Sequence, residues 1–180
     1  MKTSVERAAA IVEIQQLAAR YSLGVDSRDM EAVASLYVDD VHAGRAGRGR
    51  DALQQRYEEN DSQFGRSVST VTNHVVDIVD DDHATGVVYL RMDQQIEDGS
   101  WATLVGAYFD QYERRGGQWY FAQRELVWWF RDEPLPPAGV TRTTDFRLPF
   151  GRAQAWGTLP ERFESWHRFW EHIGTPPPGW

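Results

Sequence analysis

The sequence predicts an α+β domain, helices first and an antiparallel sheet after. Apolar residues recur at threes and fours as far as about residue 60. From residue 68 to residue 130 the period becomes two, and hairpin-length turn sequences separate the alternating runs. That order places the helices over one face of a curved sheet.

Residues 3–25 read as the first helix. Thr3 and Glu6 have capping-box spacing, so each satisfies an amide left free at the helix start. Ile11, Ile14, Ala18, Tyr21 and Val25 form one apolar stripe, and Gly24 weakens the last turn. Asp29 caps a second helix over 30–37, in which Val33, Leu36 and Tyr37 face inward. Residues 44–49 form a turn whose glycines are out of order for a dinucleotide fingerprint, and no strand–helix context surrounds them. Residues 51–60 make a third, modest helix, with Leu53 and Tyr57 four apart.

Strands are predicted over 68–79, 84–94, 101–114 and 118–130. Their turns fall at Asp80-Asp81-Asp82-His83, Glu97-Asp98-Gly99 and Gly116-Gly117. The body is thus residues 1–131. Residues 132–180 hold a connector with Pro134, Pro136 and Pro137, then a helix with capping-box spacing at Thr158 and Glu161. That helix is expected to pack on the body, across a pocket mouth or on a partner subunit.

Composition bounds the function. The 180 residues suit one domain, and eight Trp, seven Tyr and eight Phe suit a dense core or a pocket for a flat apolar ligand. A formal charge of −8 argues against nucleic acid as a partner, despite Arg45, Arg48 and Arg50. With no cysteine there is no thiolate nucleophile and no Cys-ligated metal. The N-terminus is too polar for a signal peptide and no apolar run approaches a membrane span, so a cytoplasmic location is expected.

The candidate chemistry centres on three residues. In the strand over 68–79, alternation puts His74, Val76 and Ile78 on one face, expected to lie against the helices. A buried neutral His held by a hydrogen bond is the commoner role there; a general base is the functional one. Asp26, near a helix C-terminus, is either a solvated loop acid or an anion made tolerable by an imidazole partner, and His74 is the natural one. Tyr21 belongs to the apolar stripe, and it reaches the cavity of Asp26 only if the helix loosens at Gly24. Its functional role is to donate to a substrate oxygen that gains charge. Arg124 orients a carbonyl or carboxylate, or pairs with Asp110 or Glu125. Trp101, Tyr108, Trp128, Tyr37 and Tyr57 are candidate wall residues; Trp129 is grouped with Trp101, Tyr108 and Trp128 as wall or core, and at most two or three of these four are expected to touch ligand. His42 and His83 read as exposed. His167 and His172, five apart without a third ligand, make no metal site, and Asp80 to Asp82 lack the loop of a calcium site.

These residues resemble a known family. Ile14-x-x-Leu17-x-x-x-Tyr21 with Asp26 and Asp29, Leu36-Tyr37 before Asp40-Val41, and Asn73-His74 match the SnoaL-like branch of the nuclear-transport-factor-2-like superfamily. So do Gly106-x-Tyr108-x-Asp110 and Gly117-x-Trp119 with Arg124. The resemblance spans roughly residues 10–130 and implies a cone-shaped fold. The Asp26 and His74 positions look like the Asp–His pair of scytalone dehydratase and hexachlorocyclohexane dehydrochlorinase, and Tyr21 fits the Tyr–Asp–His set of bile acid 7α-dehydratase. It implies a cofactor-free, metal-free lyase, a dehydratase acting on a small apolar cyclic oxygenated substrate. The same residues would serve an isomerase or a cyclase, and the family also holds non-catalytic binding proteins. A homo-oligomer, dimer or trimer, is expected.

Overall fold

A computed structural model describes residues 3–96, 100–132 and 171. Apart from Glu171, the predicted C-terminal helix lies outside them, as do His167 and His172.

Helix α1 (Ser4–Ser27) begins on the expected box: the Glu6 amide donates to Thr3 Oγ1 at 3.3 Å, and the Thr3 amide donates to Glu6 Oε2 at 2.8 Å. Its buried stripe is Ala10, Ile14, Leu17, Ala18, Tyr21 and Val25. The helix does not loosen at Gly24. It continues to Ser27 and is closed by Arg28 in the left-handed region, φ 62°. Gly24 serves close packing instead, since a Cβ there would stand 2.6 Å from Val33 Cγ2 on helix α2 (Met30–Ser35). Replacing Gly24 by alanine gains about 1 kcal/mol of helix propensity. It also overpacks against a fully buried Val33, which costs roughly 1–3 kcal/mol. A net loss of stability is expected, read as a lower thermal midpoint; a raised midpoint would contradict this packing.

Helix α3 (Arg50–Asp61) follows a 3-10 turn at Gly44–Ala46. The sheet then runs in chain order, every neighbour antiparallel: β1 (Ser67–Ile78), β2 (His83–Gln95), β3 (Trp101–Arg115) and β4 (Gln118–Asp132). The segment after α2 is sewn to β4, with the Val38 amide donating to the Phe121 carbonyl at 3.0 Å and the Phe121 amide to the Leu36 carbonyl at 2.9 Å. One core joins α1, α2 and α3 to the inward sheet face, where Trp119, Tyr112, Phe121, Leu90 and Leu104 are almost completely buried. On the opposite face a second cluster gathers Tyr89, Phe109 and Trp129 around Ala107 and Val127.

Register shifts bend the sheet. Between Val71 and His74 strand β1 gains a residue against β2, since Val71 faces Leu90 and His74 faces Val88. Plain alternation would put Val71 and His74 on opposite faces. The bulge lets Ser67, Ser69 and Val71 share the inward side with His74, Val76 and Ile78, as their burial records.

Candidate active site

Arg124 stands at the centre of the inward face. Its Nε donates to Asp110 Oδ1 at 2.8 Å and its Nη2 to Asp110 Oδ2 at 2.7 Å. Both side chains are sealed, Arg124 3% and Asp110 0% exposed. The guanidinium carbon lies 4.0 Å from the centre of the Tyr108 ring, 4.1 Å from Phe121 and 4.5 Å from Tyr21. Burial alone would lower the Arg124 pKa, but the charge and hydrogen bonds of Asp110 outweigh it and hold it well above the ordinary value. Of the two roles left open for Arg124, the pairing with Asp110 is made.

Tyr112 Oη donates to Asp110 Oδ2 at 2.8 Å, and His74 Nε2 lies 3.0 Å from that same hydroxyl. An unbroken polar path therefore joins the half-buried imidazole to the buried ion pair. Burial lowers the His74 pKa; the Asp110 charge opposes this and the Arg124 charge adds to it. The ring is thus neutral at pH 7, the state a base requires.

The expected contact between Asp26 and His74 is not made in this structure. Asp26 accepts from Ser69 N at 2.8 Å, Ser69 Oγ at 2.9 Å and Ser67 Oγ at 3.2 Å. The reason is the direction of α1 along β1. Gln15 reaches the His74 carbonyl while Asp26 reaches Ser69. The helix between Gln15 and Asp26 rises about 1.5 Å per residue, roughly 16 Å in all. Arg28 fastens the same helix end, donating to the Val25 carbonyl at 2.8 Å and to Ser67 Oγ at 3.1 Å, with Asp61 Oδ1 at 3.5 Å.

A cavity of about 140 Å³ opens beside Arg124. Its apolar wall is Val25, Phe64, Met92, Leu104, Leu126 and Trp128. Tyr21, Tyr57, Tyr108, Arg124, Asp61 and Gln94 add polar atoms, with Arg56 and Asn60 at α3. Tyr21 Oη donates to Tyr57 Oη at 3.3 Å, and the Tyr37 and Tyr57 hydroxyls are 2.8 Å apart. Burial raises the pKa of Tyr21, Tyr37 and Tyr108, so these phenols keep their protons. Burial likewise raises Asp61, with Arg28 opposing and Asp26 adding. Tyr37 is buried behind Tyr57 and does not line the cavity. Trp101 does not either: at the start of β3 it is 42% exposed, a correction to its reading as a wall residue. His42 and His83 are exposed, as expected, with His83 Nδ1 2.9 Å from Asp80 Oδ1.

Asp61, Arg28 and Tyr112 went unread in the sequence. Tyr112 had a signal, since Tyr108, Asp110 and Tyr112 are spaced by two and share the inward face. Ser67 and Ser69 carry the same signal.

His74 also gives stability a pH dependence of known sign. Its folded pKa lies below the unfolded value of about 6.5, so the unfolded chain takes up the proton first on acidification. The stability contributed is present above pH 6.5 and is lost as pH falls through the folded pKa. Asp61 acts oppositely at lower pH, because its raised pKa makes the folded form bind a proton first. Urea unfolding of the wild type against His74→Gln should show the weakening just below pH 6.5 only in the wild type. Identical curves would contradict a depressed His74.

Among the described residues no group of three or more His, Cys, Asp or Glu could hold a metal ion, and no helix is long and apolar enough to cross a membrane. The chain is 27% identical over 128 residues to γ-hexachlorocyclohexane dehydrochlorinase of Sphingobium indicum, covering 68% of this chain and 82% of that one. A scytalone dehydratase-like protein of Novosphingobium aromaticivorans superposes with a TM-score of 0.64 at 24% identity, over 77% of this chain and 99% of the other. The dehydrochlorinase of Novosphingobium barchaimii gives 0.65 and 24%, over 77% and 97%. These neighbours share the nuclear-transport-factor-2-like fold. The SnoaL-like domain model matches residues 6–125, and the chain belongs to that family.

Proposed function

We propose that the chain is a cofactor-independent lyase of the dehydratase type, acting on a small apolar ring that carries a carbonyl. The observation that carries this is the cavity: about 140 Å³, apolar on one side, with protonated phenols and a guanidinium on the other. An apolar cavity of roughly 150 Å³ takes up benzene, so one six-membered ring with small substituents is the matching ligand. Elimination is supported by the relative named a dehydrochlorinase and by the neighbour described as scytalone dehydratase-like.

In this reading Tyr21 and Arg124 face the carbonyl oxygen and stabilise the enolate that forms. His74 is the general base. It does not itself line the cavity, but it sits in the same cross-strand row as Val88, Tyr108 and Leu126, the last two of which do. The base takes the proton beside the carbonyl, the C–O bond breaks, and the leaving hydroxyl takes that proton back from the imidazolium and departs as water, which returns His74 to its neutral form. Tyr57, Tyr108 and Trp128 hold the ring. Copies of the chain are proposed to associate through the sheet face bearing Tyr89, Phe109 and Trp129; a monomer by light scattering at micromolar concentration removes that part.

The test is 3-hydroxycyclohexanone supplied to the purified chain in deuterated buffer without added cofactor. Cyclohexenone should accumulate at a rate set by the protein. Saturable binding with neither product nor solvent deuterium beside the carbonyl would instead make this a binding protein.

A further inference from the structure

We infer that Asp110, acting through Tyr112, is the carboxylate that orients His74 and fixes its neutral tautomer, leaving the Nδ1 lone pair as the basic atom. The inference rests on the reading of His74 as base for its functional meaning, but not for its geometry or its test.

The argument is a count of hydrogens. Asp110 is an acceptor on both oxygens: Oδ1 takes Arg124 Nε, while Oδ2 takes Arg124 Nη2 and the Tyr112 hydroxyl. Tyr112 owns a single hydroxyl hydrogen. Two acceptors compete for it, the Asp110 carboxylate at 2.8 Å and the His74 imidazole at 3.0 Å. A hydrogen bond to an ionised acceptor is about twice as strong as a neutral one, so the hydrogen goes to Asp110. The Tyr112 oxygen is then left with lone pairs toward His74. Nε2 must therefore bring its own hydrogen, and a neutral imidazole carries only one. Nδ1 is bare, and among the described residues it has no hydrogen-bond partner.

The arrangement does what an aspartate in direct contact with a histidine does, at one residue's remove. It fixes which nitrogen is protonated and holds the ring plane. It also keeps a negative charge near the imidazolium formed after proton abstraction, and Asp110 acts on His74 in that sense. Burial holds the Tyr112 phenol far above its ordinary pKa, so its hydrogen is retained across the working range. Asp110 and Tyr112 are positioning residues, since Tyr112 acts through its hydrogen bond to His74 and Asp110 through Tyr112.

The experiment is nitrogen-15 NMR of histidine-labelled protein at pH 8, with the His74 signals assigned by their absence in His74→Gln. The wild type should show a protonated-type Nε2 and an unprotonated-type Nδ1. Tyr112→Phe keeps the ring packing and the Asp110–Arg124 pair but removes the acceptor, so its two His74 nitrogens should move toward averaged tautomer values. A wild-type Nδ1–H tautomer overturns the assignment, and so does a Tyr112→Phe spectrum with the wild-type tautomer intact. Neither arm reads turnover, so an absent dehydratase activity leaves this result standing and the reverse holds as well.

Discussion

Asp110→Ala should cost about 3–5 kcal/mol of folding stability, the range found when one partner of a buried ion pair is removed. Domains of this size commonly hold roughly 5–15 kcal/mol in total, so the loss removes a large share of the stability. The cost arises less from the lost attraction than from what stays behind. Arg124 would remain sealed from water with its charge uncompensated, and Tyr112 would lose the acceptor for its hydroxyl. The ring faces of Tyr108, Phe121 and Tyr21 offset only part, since a desolvated cation–π contact returns about 2 kcal/mol. Removing both charges separates these effects. Asp110→Leu with Arg124→Met should fall well short of the single substitution's loss, because no stranded charge remains. Urea midpoints of the three proteins decide it, and a single variant within about 1 kcal/mol of wild type would mean the pair is not sealed.

What the sequence made legible follows from periodicity. Repeats of 3.6 and 2.0 are local, so the helices and strands came within two residues of their positions, and alternation put His74 on the inward face correctly. Contacts fixed by the relative placement of elements were not legible. Gly24 reads locally as a weak helix point, yet its partner is Val33 on the next helix. Trp101 has the residue type of a pocket wall, but on β3 it precedes buried Ala102 and Leu104 and is itself exposed. The partner of His74 depended on the direction of α1 across β1 and on a bulge at residues 72 and 73, neither of which periodicity encodes. A resemblance to families with an Asp–His pair supplied Asp26 as that partner. The structure supplies Tyr112 and, behind it, Asp110.

His74→Gln should lower turnover of a competent substrate by a factor of about 10² to 10⁴, the usual contribution of one placed general base, while leaving ligand affinity and the fold largely intact. Glutamine keeps a hydrogen-bonding side chain beside Tyr112 but has no basic nitrogen. The pH dependence has a definite sign. Turnover needs neutral His74, so kcat/KM falls on acidification with a midpoint below 6.5, because burial has lowered the pKa. In the variant that acid limb should vanish along with most of the rate. Asp26→Asn is the informative contrast. In this structure Asp26 anchors Ser67 and Ser69 on β1 and does not touch His74, so the substitution should weaken stability more than it weakens catalysis, and the His74 midpoint should stay near wild type. If Asp26→Asn instead matched His74→Gln in lost turnover and shifted the midpoint, substrate binding would have to bring the α1 end to the imidazole. The base would then have two carboxylates to answer to, one fixed through Tyr112 and one arriving with the ligand.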